Sequence, residues 1–328
     1  MALNPVHHPM PSPTLPLLLA LAGLAPLGAQ ACTMTETGGL LPSVATQRVA
    51  GGPTVTTSAS FNFNCAGVVL ALLNGTPTLK GQLQANTTGL TLKNTLNNTL
   101  QIPYQIYSNT GYSTGYASGA LVVDLNGANL LGLLTSGSGT NVPIYIATTP
   151  GPNIPAGVYT DTLQVTWTYF NICEGLIGAL GLCVGVANTG TTVRSLTVSL
   201  TVSNDCTITA PPVNFGSAPL LAGFPTVSQN ISLQCSRNMV YTVGLSPGSY
   251  ASGGRRRMAS GTSRLAYDIF KGDNTVWGSA DAAARAPGPA PATGNSVQTI
   301  PYSARIYQDQ ANPAPGTYTD NVVVDVSF

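Results

Sequence analysis

The clearest pattern in the chain is strict alternation near its end. Val322, Val324, Val326 and Phe328 fall on one side of an extended segment and Val323, Asp325 and Ser327 on the other, the period of a strand with one face on a core. A similar stretch occurs earlier: 157–169, GVYTDTLQVTWTY, resembles 316–328, GTYTDNVVVDVSF, with Gly, Tyr, Thr, Asp and a later Val in matching places. The earlier copy is followed by a cysteine-bounded hairpin and then by 191–203, where Leu196, Val198, Leu200 and Val202 alternate with Ser and Thr. The later copy has no such sequel. One unit carries its closing strand and the other is expected to lack it.

The same period recurs along the chain. Phe61, Phe63 and Cys65 share one face, as do Ile102, Tyr104 and Ile106, and further strands are predicted at 120–125, 142–148 and 158–167. The second half repeats the order at 231–235, 240–245, 265–270, 300–307 and the terminal stretch. Short strands separated by turn residues predict an all-β chain of two tandem immunoglobulin-like β-sandwich domains, the second without its final strand. Only Asn204 and Asp205 separate the last strand of one unit from the first cysteine of the next, so the two are expected to keep a nearly fixed relation. Residues 281–295, DAAARAPGPAPATGN, read as an exposed loop.

Composition sharpens this picture. Charged residues are 7%, with 36 Gly and 25 Pro, which disfavours helix and suits strands and turns. A formal net charge of +1 gives no field to attract nucleic acid, so no nucleic-acid partner is expected. Residues 15–27, LPLLLALAGLAPL, precede small residues at Ala29 and Ala31 and predict a secretory signal over 1–31, too short to span a bilayer. The mature chain would begin almost at Cys32, leaving an N-terminal unit over 32–204 and a C-terminal unit over 205–328.

Six cysteines in an exported chain suggest disulfides. Cys32 opens CTMT and Cys206 opens CTIT, while Cys65 closes FNFNC and Cys235 closes ISLQC. The repeat therefore pairs Cys32 with Cys65 and Cys206 with Cys235, leaving Cys173 with Cys183. Both histidines, His7 and His8, lie in the expected signal, and Glu36 and Glu174 are the only glutamates. Imidazole general base catalysis and imidazole metal sites are thereby lost to the mature chain; no glycine-rich phosphate loop occurs. Neither catalytic residues, nor a metal, nor any other cofactor is expected, and the chain is not read as an enzyme. The run Arg255, Arg256 and Arg257 is read as a solvated strand edge. Tyr159 with Asp161, and Tyr318 with Asp320, are read as structural corners in which a tyrosine hydroxyl bonds back to nearby backbone.

The opening Cys206-Thr-Ile-Thr, the run Arg256-Arg257-Met258, LAYDIF with the following VWG at 276–278, and the terminal GTYTDNVVVDV together resemble the spore coat protein U family, pilins of archaic chaperone-usher pili. The likeness covers 206–328 well and 32–203 more loosely. It implies a subunit held by a periplasmic chaperone, passed to an outer-membrane usher and completed by a strand from the next pilin. Two-domain members of this family are tip adhesins, and a chain beginning so near Cys32 has no extension to donate. On that reading Val322, Val324, Val326 and Phe328 line the groove that accepts the donor strand. Apolar segments free of strand alternation supply surface-binding loops: Leu130, Leu131, Leu133 and Leu134 in one, and Leu176, Ile177, Leu180 and Leu182 in the other. A third segment, 68–75, reads equally as core. The expected location is the cell surface at a pilus tip, reached through the periplasm, with attachment to hydrophobic or host surfaces and biofilm formation as outcomes. The competing reading is a secreted lectin-like or coat/matrix sandwich outside any pilus, with Tyr104, Tyr107, Tyr112 and Tyr116 stacking on sugar.

Overall fold

The computed structural model describes residues 32–65, 76–84, 89–127, 140–177 and 183–328. Side chains are described throughout these ranges except at Cys32, Cys65, Thr140, 173–177, 183–186 and Asn188. The strands of the first half are β1 (Cys32–Gly38), β2 (Val44–Ala45), β3 (Thr56–Cys65), β4 (Thr78–Leu83), β5 (Thr91–Asn94), β6 (Gln101–Tyr107), β7 (Leu121–Asn126), β8 (Thr140–Thr148), β9 (Gly157–Ile177) and β10 (Cys183–Ser203), with a short helix α1 (Thr46–Gly51) after β2. The second half holds β11 (Cys206–Thr209), β12 (Val227–Cys235), β13 (Thr242–Leu245), β14 (Arg256–Ser260), β15 (Ser263–Lys271), β16 (Ala286–Pro287), β17 (Gln298–Ile306) and β18 (Val324–Ser327).

In the first half one curled sheet runs β1-β3-β8-β6-β5-β9-β10-β2, with β4 laid on β9 and β7 on β4. The curl brings its two ends face to face, because residues alternating along each strand have one apolar set to bury. Phe61 of β3 and Trp167 of β9 meet across the layers at 5.4 Å, both fully buried. The predicted face of Ile102, Tyr104 and Ile106 is likewise buried. β9 and β10 are each 21 residues long and form one antiparallel hairpin much longer than the alternating core segments alone predict.

The second half repeats the plan with fewer strands. A five-stranded sheet, β11-β12-β17-β15-β14, faces a three-stranded one, β16-β13-β18. A separate apolar cluster fills the space between them, from Phe215 and Ile231 through Trp277 to Ile306. The segment 281–295 is not simply an exposed loop: Ala286 and Ala292 are buried in this core, and β16 pairs with β13. Small side chains allow that stretch to lie close against the sheet, which composition alone did not distinguish from a solvated turn.

The two halves are joined through polar contacts. Thr46 Oγ1 donates to Asp205 Oδ1 at 2.5 Å and lies 2.6 Å from Ser236 Oγ, with both hydroxyl residues buried. Gln47 Nε2 donates to the Gln234 carbonyl, and Asn153 Nδ2 to the Thr293 carbonyl. A short helix that strand periodicity does not announce thus docks onto the residue that links the two cores.

Candidate functional site: an open groove beside β18

The repeat places each residue of 316–328 on a partner in 157–169, and the ladders agree. On one flank β18 pairs with β13, Val243 opposite Val326 and Leu245 opposite Val324. In the first half β4 pairs with β9 in the same way, Gly81 opposite Trp167 and Leu83 opposite Val165. On the other flank of β9 lies β10, with Leu196 opposite Leu163, Val198 opposite Asp161 and Leu200 opposite Tyr159. Among the described residues nothing occupies that flank of β18.

The consequence is visible in burial. Leu163 and Val165 are 4% and 0% exposed, covered by β10. Their counterparts Val322 and Val324 are only half-buried. They open onto a cavity of about 360 Å³ whose floor is Ile231, Leu245, Met258, Tyr267, Ile269 and Tyr302, and whose far wall is the chain from Ala210 to Phe215. In the first half the matching wall, Gly39 to Leu41, bonds to β10: Leu41 N donates to the Ser199 carbonyl and Ser199 N to the Gly39 carbonyl. Leu41 and Phe215 are each 7% exposed, so the wall is set in place whether or not a strand fills the space.

Of the four residues expected in the groove, Val322 and Val324 line it. Val326 packs on the core beside it, and Phe328 is 66% exposed and away from it. The ladder begins only at Val324, because Thr319 is drawn the other way, exchanging backbone bonds with Ala259 of β14. The chain crosses from one sheet to the other between these points.

Polar contacts hold the empty groove in shape. Tyr159 donates to the Pro155 carbonyl at 2.8 Å and Tyr318 to the Ala314 carbonyl at 2.6 Å. Each following aspartate then receives a second tyrosine: Tyr104 donates to Asp161 at 2.8 Å and Tyr267 to Asp320 at 2.9 Å. Asp320 also accepts Ser249 N, and Gly248, at φ 79°, lies so near its carboxylate that a Cβ would collide. Burial first, and then the carboxylate beside each hydroxyl, push the Tyr104 and Tyr267 phenols far above their usual value.

The arginine run is corrected at its centre. Arg256 is 3% exposed rather than solvated. It pairs with buried Asp268 at 2.9 Å and donates to the carbonyls of Leu245, Ser246 and Trp277, so it ties the five-stranded sheet to its partner beneath the groove. Burial raises the Asp268 carboxyl and Arg256 opposes that rise. Arg255 does stay at the surface, where it makes a two-pronged contact with Asp309 and lies 3.8 Å from the Tyr307 ring centre. Alternation within RRRM, with every second residue turned inward, was the signal available in the sequence.

Cys206 and Cys235 are bonded, directly opposite each other on β11 and β12, with Cα atoms 4.1 Å apart. The backbone sets Cys32 opposite Cys65 in the same manner, though those side chains lie outside the described residues. So do the side chains of Cys173 and Cys183, whose ladder places Cys173 opposite Ala187 and Cys183 opposite Ile177. Leu130, Leu131, Leu133, Leu134, Leu180, Leu182 and the segment 68–75 also lie outside the described residues, as do the side chains of Leu176 and Ile177. The four tyrosines of the sugar-stacking alternative are divided: Tyr104 is buried and Tyr116 donates inward to the Val122 carbonyl, whereas Tyr107 and Tyr112 stay half-exposed.

The Spore Coat Protein U domain profile matches residues 19–166 and again 192–325, so the first half is matched as well as the second. Among solved structures the chain is similar to the crystal structure of the CsuC-CsuE chaperone-tip adhesion subunit pre-assembly complex from archaic chaperone-usher Csu pili of Acinetobacter baumannii. That match has 26% identity and a TM-score of 0.57, over 91% of this chain and 100% of that one. The CupB6 tip adhesin from Pseudomonas aeruginosa matches at 13% identity with a TM-score of 0.35, covering 90% of this chain and 94% of that one. No curated protein matches the chain.

Proposed function

Because the chain belongs to the Spore Coat Protein U domain family, we propose that it is the tip adhesin subunit of a secreted chaperone-usher pilus. The N-terminal unit, 32–204, completes itself; the C-terminal unit, 205–328, accepts a strand from its neighbour in the fibre. The observation that carries this reading is the unequal burial of matched residues: Leu163 and Val165 are buried, Val322 and Val324 only half so, and β10 lies on the flank that is open beside β18. Each aliphatic side chain newly covered there stabilises by roughly 1.5 to 3 kcal/mol. An edge with an apolar floor recruits a strand or aggregates.

The first unit serves as a template for the guest. β10 runs antiparallel to β9 and parallel to the chain at Leu40, which bridges Ser199, so the guest runs antiparallel to β18 and parallel to 213–215, the counterpart of 39–41. It places alternate aliphatic residues opposite Val322, Asp320 and Tyr318, as Leu196, Val198 and Leu200 stand opposite their counterparts. A periplasmic chaperone strand occupies this groove before assembly, an outer-membrane usher exports the subunit, and the next pilin then supplies the permanent strand.

Attachment is assigned to the opposite end. β3 ends and β4 begins around the segment 68–75, β7 ends and β8 begins around 129–134, and β9 turns into β10 around 178–182. Thr78 lies opposite both Asn126 and Phe170, and Thr140 opposite Phe63, so these strand ends gather at one end of the first unit. β9 begins and β10 ends at the other, beside Asp205. We assign the binding of hydrophobic or host surfaces, and with it biofilm support, to the apolar segments that join these strand ends in sequence. The chain is a binding protein and not an enzyme.

The test is thermal unfolding of the chain with a synthetic peptide of its own residues 191–203 and with a scrambled peptide of equal composition. A guest at a hundred times its dissociation constant adds about 2.7 kcal/mol. The ordered peptide is expected to raise the second transition, and Val324→Asp to abolish the rise. Equal melting with both peptides would remove the proposal.

A further inference from the structure

A cluster on the outer face of the first unit is accounted for neither by the groove nor by the core. β6 ends at Tyr107, opposite Tyr145 of β8, and the chain doubles back so that Tyr107 pairs with Gly115. At the tip of that turn Tyr112 holds φ of 50°, left-handed backbone that costs a ring-bearing residue and persists only where its surroundings impose it. Asn109 imposes it: its carbonyl accepts Tyr112 N at 3.2 Å, and its side chain bonds both Ser113 N and Ser113 Oγ. The neighbouring sequence offers Gly111 and Gly115, either of which would tolerate this conformation without strain, yet a tyrosine occupies it.

The product is a stepped aromatic surface. Tyr112 stands edge-on to Tyr107 at 5.6 Å and to Tyr145 at 6.3 Å, and all three are half-exposed. Among the described residues the Tyr112 and Tyr145 hydroxyls make no hydrogen bond, while Tyr107 donates to Gln105. Beside them β3 presents Ser58, opposite Tyr145, then Ser60 and Asn62, and the stretch 101–119 contains no charged residue. Tyr with Ser, Gly and Asn is the composition of recognition loops, where rigid amphipathic rings supply contact area and small polar groups supply hydrogen bonds.

We propose that Tyr107, Tyr112 and Tyr145 form a binding platform for a neutral saccharide chain. The absence of charge argues against an ionic ligand, since nothing there would repay the desolvation of one. The serine and asparagine surround carries none of the Trp, Phe, Met or Arg that accompany Tyr at the core of protein interfaces. A pyranose carries apolar C–H faces that lie on rings and a rim of hydroxyls that bond amides, phenols and serines. The platform shares no residue with the apolar segments or the groove, and adds carbohydrate recognition to a chain otherwise read as a binder of hydrophobic surfaces.

Isothermal titration of the full chain with cellohexaose, laminarihexaose and chitohexaose, and with an alginate hexamer as the charged comparison, tests this. At least one neutral hexamer is expected to bind, with Tyr112→Gly and Tyr145→Ser each weakening it by about tenfold, the loss of one aromatic contact. Glycine accepts the left-handed backbone, so Tyr112→Gly is expected to melt no lower than the parent, separating loss of binding from loss of fold. Tyr116→Phe, which alters an inward hydroxyl, is expected to leave affinity unchanged. Binding of no neutral hexamer, binding of alginate alone, or full affinity in Tyr112→Gly would each overturn the assignment.

Discussion

Tyr267 donates its hydroxyl to the carboxylate of Asp320 across 2.9 Å, joining β15 to the strand whose outer flank is open, and Tyr104 makes the same contact with Asp161 where that flank is closed. In both places the phenol is held well above the usual tyrosine value. A native state that binds this proton more firmly than the unfolded chain is stabilised fully below about pH 10 and loses that stabilisation as pH rises above it. Absorbance titration at alkaline pH is expected to show Tyr104 and Tyr267 ionising only as the protein unfolds. Tyr267→Phe is expected to cost about 1.5 to 3 kcal/mol, the range for a hydrogen bond to a charged group, and to shift the onset of alkaline unfolding upward relative to its own neutral stability.

Removal of the guanidinium beneath the groove leaves Asp268 buried without its partner. Arg256→Met is expected to destabilise by about 3 to 5 kcal/mol, measured by urea unfolding of the second transition. The double variant Arg256→Met with Asp268→Leu is expected to recover most of that loss. Arg255→Ala, which removes the surface pair with Asp309 and the contact with the Tyr307 ring, is expected to change stability little.

The Cys206–Cys235 bond closes a separation of 29 residues. Its removal as the double alanine variant is expected to cost about 3 to 4 kcal/mol on the chain-entropy account, read as a lower melting temperature of the second unit with the first unchanged. Peptide mapping without reductant is expected to recover Cys32 joined to Cys65 and Cys173 joined to Cys183.

Substitution of Leu130, Leu131, Ile177 and Leu180 by serine removes apolar side chains from the two segments proposed to bind surfaces. Each such side chain contributes roughly 1.5 to 3 kcal/mol when covered. Attachment to polystyrene is expected to fall sharply while pilus assembly, followed by immunoblot of sheared fibres, continues. Undiminished attachment would count against the loops.

Much of the architecture was legible because a buried strand writes its period into the sequence. Phe61 with Phe63, Ile102 with Ile106, and Leu196 with Val202 all lie inward as alternation predicts. Short edge strands such as β2 and β11, of two and four residues, carry too few inward residues to declare themselves. Arg256 escaped because burial of a guanidinium depends on Asp268 and on carbonyls from β13 and the Trp277 segment, none of which is local. The Tyr-x-Asp repeat was visible, but its partners were not; Ile102-x-Tyr104-x-Ile106 and Leu265-x-Tyr267-x-Ile269 share one pattern that could have identified them. The Tyr145 side of the aromatic surface lies on β8, distant in sequence from Tyr107 and Tyr112, and only the ladder brings them together.

The long hairpin gives the molecule a direction for bearing load. β10 runs from Cys183 to Ser203, with one irregularity in its pairing to β9 between Asn188 and Gly190, and 21 residues of strand extend about 70 Å. On the proposed placement at a fibre tip, a cell dragged by flow would load this hairpin from the end away from Asp205 while the fibre holds it through Asp205. The pull lies along the ribbon, so its cross-links with β9 are strained together in shear instead of parting singly like a zip.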